Sequence, residues 1–444
     1  MQIPSLRFAA TLAVALTLTT SRLPAQAPAP APAAVPKAAA PSVPRASTPG
    51  LSPERLARVD AVLQAYVDNN QLAGAVALVL RDGRPAYQKA VGWADREAKR
   101  PMRMDTLFRI ASQTKAITSV VALSLVEEGK LTLNDQVGTF IPSFARTTVA
   151  VRNDSGVSIV PARRPITIRD LLTHTAGISY GVDPHIASEY GARGLGPSAG
   201  AGWYFADKDE PVCASIERLG TLPFTAQPGE AWVYGYNTDV LGCVIERVSG
   251  QSLDRAIASR VTGPLGMTDT QFFVAPAQRD RLATVYSSGP DGRAVRAAEG
   301  GRGQGSYVDG PRRSFSGGAG LVSTARDYGR FLEMIRGDGA LDGVRILSPR
   351  MVGLMRTNQV GTLRSPNGLG FGLGFETTDR YGANGIDDVG SYGWAGAYGT
   401  VYRIDPHERL VIMLMIQQLP NSTDIRDKFP LMVYQALQGA PKVN

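Results

Sequence analysis

The amino-acid sequence predicts a mixed α/β (α+β) protein, in which helices flank one antiparallel sheet and a mainly helical subdomain packs against it. Strand-like apolar runs occur near both ends of the folded region, within about residues 51–110 and 365–440, whereas helical periodicity and long loops fill the stretch between them. An Asp82-Gly83 turn separates the first two apolar runs and predicts that they pair as a hairpin. The two distant ends of the domain therefore supply one sheet.

Local patterns predict each element in chain order. Ser52 followed by Pro53 is typical of a helix start, and strands are expected over residues 73–80 and 86–93. Residues 112–128 form a helix that is apolar on nearly all faces, so we expect it to lie deep in the core. The remaining elements are a short capped helix from Thr167 to about Gly177, helices over 238–248, 324–335 and 423–437, strands over 370–375, 401–404 and 410–416, and loops over 191–202 and 289–305.

The first fifty residues differ from the rest of the chain. Arg7 precedes an apolar run over residues 8–18, and Ala25-Gln26-Ala27 has the small-x-small pattern that signal peptidases recognise. This run is shorter than the roughly 20 residues of a spanning helix, although an uncleaved anchor is the alternative. We predict a signal peptide over 1–27, an Ala/Pro-rich linker over 28–50 and a folded domain over 51–444. The mature chain is then periplasmic or secreted, without an integral membrane segment.

The net charge of +8 does not indicate nucleic-acid binding. The first fifty residues contain four basic side chains and no acidic one, so they account for half of this charge. No block of five or six like charges follows, and nucleic-acid binding needs a concentrated basic stripe. The composition, 43% hydrophobic and 19% charged over 444 residues, is that of a globular protein. We expect no nucleic-acid partner.

Ser112-Gln113-Thr114-Lys115 is a Ser-x-x-Lys pattern at the start of the predicted buried helix. Residues three apart share a helix face, so the Ser112 hydroxyl and the Lys115 amine can meet. A serine hydroxyl becomes a good nucleophile only when a base takes its proton. A buried lysine can be that base because burial disfavours its charged form. On its own the pattern also recurs by chance, so the surrounding motifs decide whether it is catalytic.

Further motifs occur in a fixed order along the chain. They are Phe108-Arg-Ile-Ala-Ser-Gln-Thr-Lys115, Leu171-Leu-Thr-His-Thr-Ala-Gly-Ile178, Trp232-Val-Tyr-Gly-Tyr-Asn-Thr-Asp-Val-Leu-Gly242, Pro264-Leu-Gly-Met267, Gly317-Gly-Ala-Gly-Leu321 and Gly393-Trp-Ala-Gly-Ala-Tyr-Gly399. Over about residues 54–438 the chain resembles the serine β-lactamase and penicillin-recognising superfamily. It is most similar to the class C β-lactamase-related esterases, the family VIII carboxylesterases. The resemblance implies a β-lactamase/transpeptidase-like fold and a mechanism without a cofactor.

The resemblance also implies roles for individual residues. Ser112 would be the acylated nucleophile, Lys115 its base partner and Tyr234 the tyrosine that relays the proton. The backbone amides of Ser112 and Ala397 would form the oxyanion hole. Trp394-Ala395-Gly396 would replace the Lys-Thr-Gly of the lactamases and contact the substrate.

Two of these roles have structural alternatives. Tyr234 could be an aromatic wedge at a helix start, and Trp394 could simply pack in a strand. The family's Tyr-x-Asn is also altered, because Gly235 and Tyr236 follow Tyr234 and Asn237 comes one position late. This puts recognition of a β-lactam amide in doubt.

Other features look catalytic but have a plainer interpretation. Gly196-Pro197-Ser198-Ala199-Gly200 matches the nucleophile elbow of α/β-hydrolases, but no strand precedes it and Pro197 adjoins the serine. We therefore do not expect Ser198 to be catalytic. The histidines, His174, His185 and His407, show no metal-ligand spacing, and we expect no metal.

The two cysteines could form a disulfide or remain as thiols. Export would permit a disulfide between Cys213 and Cys243. Cys243 lies in a helical pattern where a small buried residue suffices, so we favour two buried thiols.

The sequence thus predicts an exported serine hydrolase that forms an acyl-enzyme on Ser112. We expect a carboxylesterase acting on small or medium acyl esters, with a small-molecule ester or amide as its substrate. The alternatives are a β-lactamase or D-amino-acid peptidase of the same superfamily, or a penicillin-binding sensor that deacylates slowly. The oligomeric state stays open.

Overall fold

The computed structural model describes residues 50–154, 156–196, 208–300 and 303–441. They belong to the compact unit Ala46–Asn444, and the second unit, Met1–Arg45, lies outside the described ranges. The predicted signal peptide and all of the predicted linker except Gly50 also lie outside them.

An eight-stranded antiparallel sheet organises this part of the chain. Its strands are β1 (Gly74–Arg81), β2 (Arg84–Asp95), β3 (Arg100–Pro101), β4 (Leu369–Phe371), β5 (Glu376–Thr378), β6 (Tyr392–Ala395), β7 (Val401–Asp405) and β8 (Leu410–Met415). They lie side by side in the order β4-β5-β6-β7-β8-β1-β2-β3. The first and last strands in the chain meet at the centre, where Val76 pairs with Met415. The prediction of one sheet built from both ends is confirmed.

The helices cover the sheet and build the subdomain. They are α1 (Pro53–Asp68), α2 (Thr114–Glu127), α3 (Val137–Phe140), α4 (Ile168–Thr173), α5 (Ala187–Ala192), α6 (Val212–Leu219), α7 (Asn237–Ser249), α8 (Leu253–Ile257), α9 (Ala325–Arg336), α10 (Pro349–Met355) and α11 (Ile425–Ala436). Helices α4, α6 and α8 pack around α7, and α7 packs against α2. In the part of the chain described, no helix has the length and apolar character needed to cross a membrane.

Strand β1 shows why the sheet is covered on both faces. Ala77 and Val79 point into a core formed with α1 and α11, whereas Leu78 and Leu80 point into the larger core around α2. Successive strand residues face opposite sides, so a strand between two cores is apolar throughout. Every residue of α2 from Thr114 to Leu125 is buried. The prediction that this helix lies deep in the core is confirmed.

The structure corrects the predicted pattern in two places. A single strand over residues 370–375 is wrong, because Gly374 adopts φ +100° and the chain turns from β4 into β5. The predicted loop over residues 289–305 contains a strand, Ala294–Arg296, which pairs with Tyr286–Ser288.

Among the described residues, three further small sheets lie outside the main one. They are formed by Thr148–Asn153 with Gly156–Pro161 and Pro223–Phe224, by Phe108–Arg109 with Val322–Ser323, and by Ala340–Leu341 with Val344–Arg345.

The preference for two buried thiols is wrong. Cys213 on α6 and Cys243 on α7 form a disulfide, with their Cα atoms 5.1 Å apart. The two helices pack against each other, and their facing sides bring the Cα atoms within the normal range for a disulfide. A separation of 30 residues along the chain gave no sign of this proximity.

Candidate active site

Ser112 lies in a tight 3₁₀ turn, Ala111–Gln113, that leads directly into α2. Ala111 adopts φ +43°, a left-handed conformation that costs an alanine roughly 1–2 kcal/mol. The surroundings hold this turn in place, since the Tyr328 hydroxyl donates to the Gln113 carbonyl at 2.9 Å. Ser112 itself is half-buried and faces a cavity. A strained backbone held by its neighbours is common at functional sites.

Lys115 lies one helical turn after Ser112, as its spacing predicts. Its Nζ is 3.4 Å from Ser112 Oγ and donates to the Gly318 carbonyl at 2.8 Å. The side chain is almost completely buried, with 2% of the residue exposed. The amine is therefore held by fixed partners next to the serine hydroxyl, away from bulk water.

Two tyrosines flank the lysine, and the sequence analysis identified one of them. Lys115 Nζ donates to the Tyr180 hydroxyl at 3.0 Å, a contact that sequence reasoning missed. Tyr234 presents its ring to Nζ at 4.7 Å, and its hydroxyl accepts a 3.1 Å hydrogen bond from Trp394 Nε1. Tyr180 follows the Leu171–Ile178 motif by two residues, and this was the available signal. The hydroxyl that contacts the lysine is that of Tyr180.

His174 supports Tyr234 from behind. It is buried, and its backbone adopts a left-handed conformation at the end of α4. Its ring centre is 4.9 Å from that of Tyr234. Burial, together with the nearby charges of Lys115 and Arg364, holds its pKa well below the ordinary value, so the ring is neutral. Asn237 Nδ2 donates to His174 Nδ1 at 3.0 Å. His174 is thus a hydrogen-bonded core residue, whereas His185 and His407 are exposed.

Hydrogen bonds from the Asn237 side chain hold the segment that carries Tyr234 in place. Besides His174, its side-chain amide reaches the carbonyls of Ile178 and Val233, at 3.2 and 3.1 Å. These partners are His174 and two backbone carbonyls rather than groups of the cavity, so the residue that comes one position late in the motif has a structural role. Tyr236 is also buried, and its hydroxyl accepts from the Gly196 amide at 2.9 Å.

The end of β6 closely approaches the turn that carries Ser112. A Cβ added to Gly396 would lie 2.5 Å from the Ile110 carbonyl oxygen and 2.2 Å from Thr400 Oγ1, so only glycine fits. Within the described ranges, the amides of Ser112 and Ala397 donate to no protein acceptor. Both residues line the same cavity. Two such amides can stabilise a negative oxygen that develops between them.

The cavity in front of Ser112 has a volume of about 450 Å³. Three aromatic side chains, Tyr180, Tyr234 and Trp394, and several charged side chains form part of its wall. It is lined by Ala111, Ser112, Tyr180, Tyr234, Ala319, Arg364, Leu369, Glu376, Asn384, Trp394, Ala395, Gly396, Ala397, Val401, Arg403, Arg426 and Asp427. Arg364 lies 4.5 Å from the centre of the Trp232 ring and pairs with Glu376 at 2.6 Å.

The structure therefore brings together the site residues named from the sequence. Ser112, Tyr234 and the segment Trp394-Ala395-Gly396-Ala397 share one cavity, with Lys115 directly behind its wall. Ser198 lies outside the described residues. Among the residues that the structure does describe, no three His, Cys, Asp or Glu side chains are grouped to hold a metal ion.

Comparison with known proteins establishes the family. The Beta-lactamase family model matches residues 59–436. The chain belongs to the β-lactamase family. Its relatives within that family include Esterase EstB of Burkholderia gladioli, 36% identical over 376 residues, covering 81% of this chain and 89% of EstB. Lovastatin esterase of Penicillium rubens is 32% identical over 401 residues, covering 83% and 94% of the two chains.

A solved structure agrees with this membership. EstCE1, described as a hydrolase with promiscuous acyltransferase activity, superimposes with a TM-score of 0.72 at 29% identity, covering 87% of this chain and 98% of EstCE1. The predicted β-lactamase/transpeptidase-like fold is confirmed. This β-lactamase-family chain is a serine hydrolase.

Proposed function

We propose that the protein is an exported carboxylesterase, close to the family VIII carboxylesterases, that forms an acyl-enzyme on Ser112. The observation that carries this proposal is the 3.4 Å separation of Lys115 Nζ and Ser112 Oγ at the base of the cavity. A nucleophile with a buried base beside it therefore lies at the same cavity as the amides of Ser112 and Ala397. These are the parts that acyl transfer from an ester requires.

The reaction follows from this arrangement in two steps. In the first, Ser112 Oγ attacks the ester carbonyl carbon while Lys115, in its neutral form, takes the hydroxyl proton. The carbonyl oxygen becomes negative beside the amides of Ser112 and Ala397, which lower the barrier by several kcal/mol. The C–O bond to the leaving alcohol then breaks, and the alkoxide receives a proton. In the second step, water attacks the acyl-enzyme by the same route and releases the acid.

A tyrosine hydroxyl is the natural carrier of the proton between Lys115 and the leaving alcohol. The sequence prediction assigns this relay to Tyr234, and that assignment stays a prediction. Tyr180 is a second candidate, because its hydroxyl is hydrogen-bonded to Nζ and its side chain lines the cavity. Trp394 Nε1 holds the Tyr234 hydroxyl toward the cavity wall.

The substrate we propose is an uncharged ester with a small or medium acyl group. The cavity volume of about 450 Å³ is in the lower part of the usual range for ligand pockets. An indole, Trp394, stands where the lactamases of the superfamily have a lysine. Two relatives, Esterase EstB and Lovastatin esterase, are named for ester hydrolysis.

A substrate panel tests this proposal. We expect kcat/KM for p-nitrophenyl butyrate to exceed that for nitrocefin by about 10³-fold or more, because the site lacks the lysine partner for the β-lactam carboxylate. Rapid nitrocefin hydrolysis would instead favour the β-lactamase alternative. A penicillin adduct that persists in the intact mass, without ester turnover, would favour the sensor.

Export forms part of the proposal. The apolar run over residues 8–18 and the Ala25-Gln26-Ala27 pattern support it, as does the disulfide between Cys213 and Cys243, since disulfides persist mainly in oxidising compartments. N-terminal sequencing of the mature protein should begin near Pro28. A mature protein that keeps Met1 would contradict export by cleavage.

A further inference from the structure

Asp239 is a buried carboxylate for which the proposed reaction has no role. It lies in the first turn of α7 and is 1% exposed. Its Oδ1 accepts hydrogen bonds from Ser316 Oγ at 2.6 Å and from the Gly318 amide at 3.1 Å. An isolated carboxylate is costly to bury, so a position of this kind needs a reason.

The loop that Asp239 holds is the one that holds Lys115. The Gly318 carbonyl accepts from Lys115 Nζ at 2.8 Å, and Thr118 Oγ1 donates to the Gly317 carbonyl at 2.9 Å. A Cβ added to Gly318 would lie 2.3 Å from Asp239 Oδ2, so the loop and the carboxylate are in close contact. One short segment therefore connects the buried acid to the buried base.

Asp239 differs in charge from the other titratable groups near Lys115. Among the described residues, Tyr180 and Tyr234 contact the amine, and the charge of Lys115 acts on two further titratable groups, His174 and Asp239. A phenol carries no charge near neutral pH, and burial lowers the pKa of His174, which keeps that ring neutral. Among these groups Asp239 alone can carry a negative charge. It acts at a distance, because the described contacts of Lys115 include no direct ion pair with it.

The pKa of Asp239 is raised above its ordinary value, and several features oppose that rise by favouring the ionised form. Burial raises the pKa of this carboxyl, and this is the largest effect. Lys115, the Ser316 hydroxyl and the Gly318 amide oppose it. The N-terminal turn of a helix also stabilises a negative charge. The two hydrogen-bond donors to Oδ1, the nearby Lys115 amine and the N-terminus of α7 all stabilise the negative charge that burial disfavours.

We propose that Asp239 is a positioning residue and the counter-charge of Lys115. It anchors the loop whose carbonyl holds Nζ, and its negative charge stabilises the protonated amine. Removing this charge therefore removes a stabilising interaction of the protonated amine. The activity test of this inference rests on the proposed function, whereas the stability test does not.

The activity test is the pH profile of kcat/KM for p-nitrophenyl butyrate in Asp239→Asn. Asparagine keeps the shape and an acceptor oxygen but removes the charge. The protonated amine then loses stabilisation, so the acid limb should move to lower pH by on the order of one unit. If the acid limb stays at the same pH and only the maximal kcat/KM falls, Asp239 has a purely structural role.

Glu246→Gln is the matched control for this profile. Glu246 lies on the same helix seven residues later, roughly 10 Å along the axis, is half-buried and accepts from the Leu253 amide at 2.9 Å. The substitution is chemically the same, but this carboxylate does not face Lys115. We expect its acid limb to coincide with that of the unmodified protein. An equal shift in Glu246→Gln would contradict a specific role for Asp239.

The stability test is a double-mutant cycle that combines Lys115→Met and Asp239→Asn, with the free energy of unfolding as its readout. If the two charges face each other, Asp239→Asn should destabilise the Lys115→Met background less than the unmodified protein, or even stabilise it. Additive effects, or a double variant that does not fold, would contradict the proposal. The cycle needs no enzymatic activity, so an error in the proposed function leaves it valid.

Discussion

Replacing Ser112 with alanine is expected to lower kcat for p-nitrophenyl butyrate by at least about 10⁴-fold, because the acyl-enzyme can no longer form. Ser112 is half-buried and lines the cavity, so the loss of one hydroxyl should leave the fold intact. Steady-state kinetics on the purified variant, with circular dichroism to verify folding, measures this effect.

Ser198→Ala is the informative control. Ser198 occupies the sequence pattern of a nucleophile elbow, Gly196-Pro197-Ser198-Ala199-Gly200, and we expect its variant to keep nearly full activity. If Ser198→Ala abolished turnover while Ser112→Ala did not, the nucleophile would have been assigned to the wrong residue.

Lys115→Met is expected to produce the second large loss, about 10³-fold in kcat, the usual range for removing a general base. Methionine retains a long apolar side chain but cannot accept the Ser112 proton. Lys115 lies behind the cavity wall, 3.4 Å from Ser112 Oγ, so KM should change far less than kcat. A variant that keeps more than about a tenth of the original kcat would refute the role of base.

Lys130→Met controls for the loss of one positive charge near the same helix. Lys130 follows the end of α2, is exposed and pairs with Glu128 at 2.9 Å. Its replacement should leave kcat and KM unchanged. Loss of activity in this variant would point to a general effect of charge or stability rather than to proton transfer at Ser112.

Sequence reasoning succeeded where a contact is local or a pattern is periodic. Ser112 and Lys115 are three residues apart at the start of a helix, so their proximity follows from helix geometry alone. The nearly all-apolar pattern of α2 likewise predicted that this helix lies deep in the core, and the structure buries it from Thr114 to Leu125. Both inferences follow from the periodicity of the α-helix alone.

The contacts that sequence reasoning missed join distant segments. Tyr180 reaches Lys115 across 65 residues, and Cys213 meets Cys243 across 30. Such distances depend on how α2, α4, α6 and α7 pack, which no spacing along the chain encodes. Asp239 belongs to the same class, since its contact with Gly318 spans 79 residues.

Active-site labelling with a fluorophosphonate, followed by peptide mapping, tests whether Ser112 is the nucleophile. We expect one modified residue, Ser112, with labelling absent in Ser112→Ala and greatly slowed in Lys115→Met. A label on Ser198 or on any other residue, or no label on a folded and active protein, would contradict it.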